Sequence, residues 1–141
     1  MHTRLRKSGL GWLVLVLLLS GCNSDWTRRR ERSDEVYLTA PSNYRADVLA
    51  FMRAYLNDPV GVRDAFISEP SKRTLENVER YTVCLRYNAR KSGGQYAGAK
   101  EGVAIYVSGK LDRFFDGRLE VQELCKGAVY APFPELEALT R

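Results

Sequence analysis

The stretch from Arg80 to Arg90 constrains the fold of this chain most, because its side chains alternate in character with a period of two. One set of alternate positions is apolar: Tyr81, Val83, Leu85 and Tyr87. The other set is mixed: Thr82, Cys84, Arg86 and Asn88. Successive side chains of a strand point to opposite faces of a sheet, so the pattern predicts a strand with one apolar face. Cys84 belongs to the mixed face, and a partner of its thiol must therefore approach from that side.

The residues from Tyr44 to Asn57 predict an amphipathic helix ahead of this strand. Apolar side chains recur there at helical spacing: Tyr44, Val48, Phe51, Met52, Tyr55 and Leu56. Ser42 or Asn43 can cap the start of the helix. Asp58-Pro59 ends it, because the residue before a proline avoids helical backbone angles. We expect this apolar stripe to face the core and to bind no cofactor.

Shorter patterns predict the remaining elements. Further strands are expected over Val62 to Ser68, Val103 to Val107 and Leu111 to Phe115. The polar stretch from Ser71 to Glu79 is expected to be a loop, and Ala131 to Pro134 a rigid turn. Short helical pieces are expected over Arg118 to Lys126 and Glu135 to Thr140. Together these elements predict an α+β domain, with the first helix packed on a three- or four-stranded antiparallel sheet.

The start of the chain has the pattern of a secretory signal. Arg4, Arg6 and Lys7 precede an apolar run from Leu10 to Leu19, which is too short to span a bilayer because a spanning helix needs ~20 residues. Leu19-Ser20-Gly21-Cys22 then resembles the bacterial lipobox. The resemblance implies cleavage after Gly21, a diacylglycerol on Cys22 and acylation, such as with palmitate, of the new amino terminus. The alternatives are an ordinary signal peptide with a chance cysteine and an uncleaved anchor.

The segment from residue 22 to 43 is predicted to be a flexible tether between the anchor and a single domain over residues 44–141. It is polar and poorly patterned, and Arg28 to Arg32 carries most of its positive charge. These arginines, with Trp26, either contact anionic lipid headgroups or belong to a solubilising linker. In the sorting rule of enteric bacteria, Asn23 after the lipidated cysteine favours the outer membrane, facing the periplasm.

Composition excludes several classes of function. Loss of the signal removes three of the 22 Lys and Arg residues and lowers the formal charge from +5 to +2. A nucleic-acid-binding domain needs a clustered excess of positive charge, and a net charge of +2 does not supply it. The single histidine, His2, leaves with the signal, so histidine-based catalysis and histidine zinc sites are not expected. We expect no cofactor and no metal.

Once Cys22 is lipidated, Cys84 and Cys125 remain in an oxidising compartment. They are predicted to form a disulfide, and the chain-entropy model gives such a bridge roughly 4 kcal/mol of stabilisation. The alternative is a reactive thiol, but such a thiol would lack a histidine to activate it.

Four motifs of the mature domain resemble those of a widespread group of small bacterial envelope proteins. They are Asn57-Asp58-Pro59, Val83-Cys84, Asn88-Ala89-Arg90 and Gly93-Gly94-Gln95-Tyr96-Ala97-Gly98. In that group an Asp-Pro follows a helix and precedes Val-Cys, Asn-Ala-Lys and Gly-Gly-Tyr-x-Gly. Here Arg90 stands in the place of the lysine, and Gln95 intervenes between the glycines and Tyr96. The resemblance implies the layout and no particular activity.

Two regions carry candidate chemistry. In the loop from Asn88 to Lys100, exposed amides and glycines accompany Arg90, Lys91, Tyr96 and Lys100. Such a loop can cradle an anion, or its glycines simply permit the turn. The carboxylates Asp112, Asp116, Glu120 and Glu123 lack calcium-loop spacing. They form either a solvated face or, if two of them face each other across a cleft, the carboxylate pair of a glycosidase-like site.

No motif in the chain identifies an activity. The first hypothesis is a non-enzymatic, lipid-anchored envelope protein whose domain contacts another envelope component. The second is a binding module for an anionic envelope polymer, acting through the basic glycine-rich loop. A carboxylate-dependent hydrolase is the third.

Overall fold

The computed structural model of the protein describes residues 38–140, which belong to one compact unit. The predicted signal peptide, the lipobox with Cys22 and most of the predicted tether lie outside the described residues. The described part is an α+β fold with a six-stranded antiparallel sheet. None of its helices is both long and apolar enough to cross a bilayer.

In chain order, one helix is followed by five strands, a second helix, a sixth strand and a third helix. The three helices are α1 (Tyr44–Tyr55), α2 (Arg118–Leu124) and α3 (Pro134–Glu137). The strands are β1 (Arg63–Ser68), β2 (Ser71–Leu75), β3 (Val78–Asn88), β4 (Lys100–Val107), β5 (Lys110–Phe115) and β6 (Tyr130–Pro132). The helix predicted over Tyr44 to Asn57 is thus present as α1, with Asn43 at its N-cap position.

The long strand β3 is the centre of the sheet. The strand order is β5-β4-β3-β1-β6, and β2 also pairs with β3. On one side β3 pairs with β4, where Tyr87 lies opposite Lys100 and Arg86 opposite Glu101. On its other side β3 pairs first with β2 and then, nearer its end, with β1. Eleven residues in one strand are long enough to hold both shorter strands along the same edge.

Glu69-Pro70 separates β1 from β2, and Ser68 fills the gap that this break leaves in the hydrogen bonding. The Ser68 hydroxyl accepts a hydrogen bond from the Cys84 N–H at 2.9 Å and donates one to the Glu69 carbonyl at 3.1 Å. Proline has no N–H to donate, so a strand cannot run through this point with its full ladder. A buried side-chain hydroxyl therefore completes the pairing of β3.

One face of the sheet carries the main core. Its buried residues come from α1, α3 and the apolar positions of the strands, and include Val48, Met52, Val83, Leu85, Tyr87, Tyr106, Phe133 and Leu136. Arg45 of α1 ties this layer together: its guanidinium donates to both Glu135 carboxylate oxygens, at 3.1 and 2.8 Å, and to the Pro132 carbonyl at 3.1 Å. The apolar face predicted for the central strand is the face that α1 covers.

The opposite face carries a smaller core under α2. Cys84, Val103, Ile105, Val121 and Leu124 are buried there. The predicted disulfide is present, with the Cα atoms of Cys84 and Cys125 separated by 5.8 Å. Cys125 follows the last residue of α2, so the bridge fastens this helix to the mixed face of β3. The side from which the partner of Cys84 approaches is as predicted.

The predicted strand count of three or four is wrong, because β2 and β6 went unrecognised. The stretch from Ser71 to Glu79, expected to be a loop, contains β2 and the start of β3. Its side chains are mostly polar, and all are half-buried or exposed, so no apolar alternation marks the stretch. Its strand conformation follows from pairing with β3. β6 is three residues long and ends on Pro132, which is typical of an edge strand.

Candidate functional site

The glycine-rich loop between β3 and β4 has a defined structure. Arg90 and Tyr96 form an isolated antiparallel bridge, and the Lys91 N–H donates to the Gln95 carbonyl at 2.8 Å. The Gly94 N–H returns to the Lys91 carbonyl at 2.8 Å, and Gly94 has a positive φ of 78° that favours glycine. The loop is therefore a small hairpin of its own.

Tyr96 fastens this hairpin to the segment before β1. Its hydroxyl donates to the Gly61 carbonyl at 2.9 Å. The guanidinium carbons of Arg63 and Arg90 lie 4.3 and 5.3 Å from the centre of its ring, within cation–π range. A Cβ atom on Gly61 would lie 3.2 Å from the Arg90 guanidinium, so a residue without a side chain leaves space for Arg90 there.

A cleft of about 490 Å³ opens between this hairpin, the end of β3 and the end of α1, and we call it the loop cleft. It is lined by Tyr55, Leu56, Asn57, Tyr87, Ala89, Arg90, Lys91, Ser92, Ala97 and Lys100. The structure thus brings together Arg90, Lys91 and Lys100 of the predicted loop site. Tyr96 is not among the lining residues, and it holds the hairpin in place.

The loop cleft is strongly basic. Its lining contains three cationic side chains and no carboxylate. The side chains of Lys91 and Lys100 make no ion pair or hydrogen bond within residues 38–140, and the buried Nε of Arg90 has no hydrogen-bond partner there. The carboxyl end of α1 adds a partial negative charge of about half an elementary charge. The Asp116 carboxylate, which accepts from Tyr55 of the cleft wall, adds one full negative charge nearby. The three cations outweigh both contributions, so the cleft favours an anion.

Tyr87 contributes a hydroxyl that the sequence pattern does not reveal. The residue is only 1% exposed and belongs to the main core, yet it lines the cleft. Its hydroxyl makes no hydrogen bond within the described residues. Burial, and then the nearby Tyr55 and Asp116, raise the pKa of Tyr87, so the phenol keeps its proton and remains a donor. The only hint of this hydroxyl in the sequence is that an apolar position of the strand carries a tyrosine and not a phenylalanine.

Tyr55 supports the wall of the cleft. Its hydroxyl donates to the Asp116 carboxylate at 2.7 Å, and this contact raises the pKa of Tyr55 to about 12. Its ring packs against Phe51 and Phe114, with ring centres 5.3 Å apart in both cases. The end of α1 is thereby held against the end of β5.

A second cleft, of about 760 Å³, lies on the α2 face, and we call it the α2 groove. It is lined by Arg86, Ala99, Lys100, Glu101, Asp116, Arg118, Val121 and Gln122. Its charges are mixed, and the Arg86 guanidinium donates twice to one Glu101 oxygen, at 2.7 and 2.9 Å. Lys100 lines both clefts.

The predicted acidic cluster does not form one site. Asp112 pairs with its neighbour Arg113 at 2.9 Å, and Asp116 accepts from Tyr55. The Glu120 carboxylate approaches Gly117 at the start of its own helix. Within residues 38–140 no three His, Cys, Asp or Glu side chains are grouped so that they could hold a metal ion. These contacts favour the solvated-face interpretation of the four carboxylates.

The described geometry thus offers one basic cleft, built on the loop that the sequence singled out. The resemblance to small envelope proteins stays a prediction from the four motifs. No family model, no curated protein and no solved structure matches the chain.

Proposed function

We propose that the protein is a non-enzymatic, lipid-anchored envelope protein whose domain binds an anionic group of an envelope polymer in the loop cleft. The observation that carries the proposal is the lining of that cleft, with Arg90, Lys91 and Lys100 and no carboxylate. A cleft of a few hundred cubic ångströms falls in the usual range for ligand sites.

The anchor in this proposal is Cys22 of the lipobox-like sequence. Each acyl methylene buried in a membrane contributes about 0.8 kcal/mol, so a cysteine carrying two or three chains is held firmly. An anchored domain meets an envelope polymer at high local concentration, and modest affinity at a single cleft is then sufficient.

A contact with another envelope protein is the second candidate. The exposed side chains of Leu119 and Val129, which are 77% and 83% accessible, support it because both lie on or just after α2. Single exposed apolar side chains are common on soluble surfaces and by themselves indicate no interaction site. The basic cleft therefore supports anion binding more strongly than these two side chains support a protein contact.

The test uses the full-length lipidated protein in dodecyl maltoside, a detergent without charge or phosphate. Binding to polyphosphate and to poly-glutamate is measured against neutral dextran at low and high salt. We expect binding of the anionic polymers that weakens with salt, because exposed charges are screened within about 8 Å at physiological ionic strength.

A pair of double variants separates the cleft from general surface charge. Lys91→Ala with Lys100→Ala removes two cleft cations, whereas Lys72→Ala with Lys110→Ala removes two exposed lysines elsewhere. We expect the first to lose at least about tenfold in affinity and the second to lose little. Equal losses in both would mean that the cleft is not the binding site.

A further inference from the structure

We infer that the anionic group held in the loop cleft is a phosphate monoester, one of whose oxygens accepts a hydrogen bond from the Tyr87 hydroxyl. This inference rests on the proposed function and names the chemistry of its ligand. It depends on three features of the cleft: the Tyr87 hydroxyl, which has no protein partner within the described residues, the excess of positive charge, and the space beside the cations.

The first feature is the Tyr87 hydroxyl. Tyr106, the other deeply buried tyrosine of the main core, donates its hydroxyl to the Tyr44 carbonyl at 3.3 Å. The Tyr87 hydroxyl has no protein partner within residues 38–140, and it is accessible from the cleft that the residue lines. A ligand oxygen in the cleft can therefore accept a hydrogen bond from it.

The second feature is charge. The three cations of the lining exceed the neighbouring Asp116 carboxylate by two charges. A single carboxylate or a sulfate ester, each carrying one negative charge, does not neutralise that excess. A phosphate monoester carries about −1.5 to −2 at neutral pH and presents three strong acceptor oxygens. Those oxygens match a site whose charged groups and phenol can all donate hydrogen bonds.

The third feature is space. A volume of about 490 Å³ exceeds what one phosphate group needs, so the cleft has room for the unit that carries it. Ser92 and Asn57 lie at the lining and can hydrogen-bond a hydroxylated unit such as a sugar. A phosphorylated sugar and a phosphate-headed lipid share the recognised chemistry.

The experiment compares three probes that differ in the anionic group on one sugar ring: glucose 6-phosphate, glucose 6-sulfate and glucuronate. Their affinities for the full-length protein in dodecyl maltoside are measured by calorimetry. We expect the phosphate to bind at least about tenfold more tightly than the other two. Micelles doped with phosphatidic acid provide a second arm, and tighter binding there than to glucose 6-phosphate would assign the phosphate to a lipid headgroup.

Two tyrosine variants test the role of the Tyr87 hydroxyl. Tyr87→Phe removes a hydroxyl without a partner, so we expect an unchanged melting temperature and about tenfold weaker binding of glucose 6-phosphate. Tyr106→Phe removes a hydroxyl that is hydrogen-bonded, so we expect a lower melting temperature and unchanged binding. Unchanged phosphate affinity in Tyr87→Phe would overturn the assigned role of Tyr87.

The outcomes separate this inference from the proposed function. Equal binding of all three probes would overturn the phosphate assignment, while polymer binding that depends on Lys91 and Lys100 would leave the proposed function intact. Binding of polymers without binding of either phosphate probe would have the same consequence. Loss of all anion binding by the wild-type protein would overturn both.

Discussion

Single side chains complete the hydrogen bonding of this sheet where the backbone cannot. Ser68 is 4% exposed, and its hydroxyl takes the place of a carbonyl acceptor beside Cys84. Thr82, which is fully buried on β3, bonds the Ser71 carbonyl at 3.2 Å across the start of β2. Two hydroxyl side chains thus flank the Glu69-Pro70 break. Both compensate for the proline that allows two strands to share one edge of β3.

Ser68→Ala tests this role. The change leaves the buried Cys84 N–H without an acceptor, and we expect a loss of about 1–3 kcal/mol in the free energy of unfolding. Urea denaturation followed by circular dichroism measures it. Ser71→Ala is the matched control: its hydroxyl lies 3.4 Å from the Thr82 hydroxyl, which keeps its bond to the Ser71 carbonyl. Equal losses in the two variants would show that the Ser68 hydrogen bond contributes no more to the free energy of unfolding than the Ser71 hydroxyl does.

At the scale of elements, strands that carry their own apolar pattern could be predicted from the sequence, and strands defined by their neighbours could not. β3 has an apolar alternation and β4 has a continuous apolar run, and both strands are predicted. β2 has none, and it is a strand because the first half of β3 offers it a partner. Likewise, the loop cations could be predicted as a group. The hydroxyl of Tyr87 could not, because only the packing of α1 against the β3–β4 hairpin shows that its position borders a cleft.

The disulfide prediction belongs to the same scale, because the bridge joins one helix to one strand. It closes a span of 41 residues, for which the chain-entropy model gives about 4 kcal/mol. We expect a reductant to lower the melting temperature, and amide exchange to rise first in α2. Amides of the main core, on the other face of the sheet, should stay protected from exchange for longer. Thermal unfolding with and without reductant, together with exchange mass spectrometry, measures both effects. Equal melting temperatures would contradict the prediction.

At the scale of the whole molecule, the proposal joins a membrane anchor to a binding domain, and the anchor is tested separately. Cys22→Ser should abolish incorporation of a fatty-acid analogue, because the lipobox resemblance places the lipid on that thiol. Ser24→Ala, two residues away, should leave the labelling unchanged. Labelling is read on immunoprecipitated protein, and absence of label from the wild type would refute the anchor.

The order of the strands also determines when the domain can fold. β2, β3, β4 and β5 pair with their neighbours in sequence, so a chain made only as far as Asp116 already contains all the partners of that meander. The outer edge of β1 is different, since Ile67 pairs with Ala131 and the core beneath it needs Phe133 and Leu136. Contacts between distant residues form slowly, because loop-closure entropy is lost before they stabilise the fold. The main core therefore stays incomplete until the residues after Tyr130 have been synthesised, so the last dozen residues of the sequence decide when the domain can complete its fold.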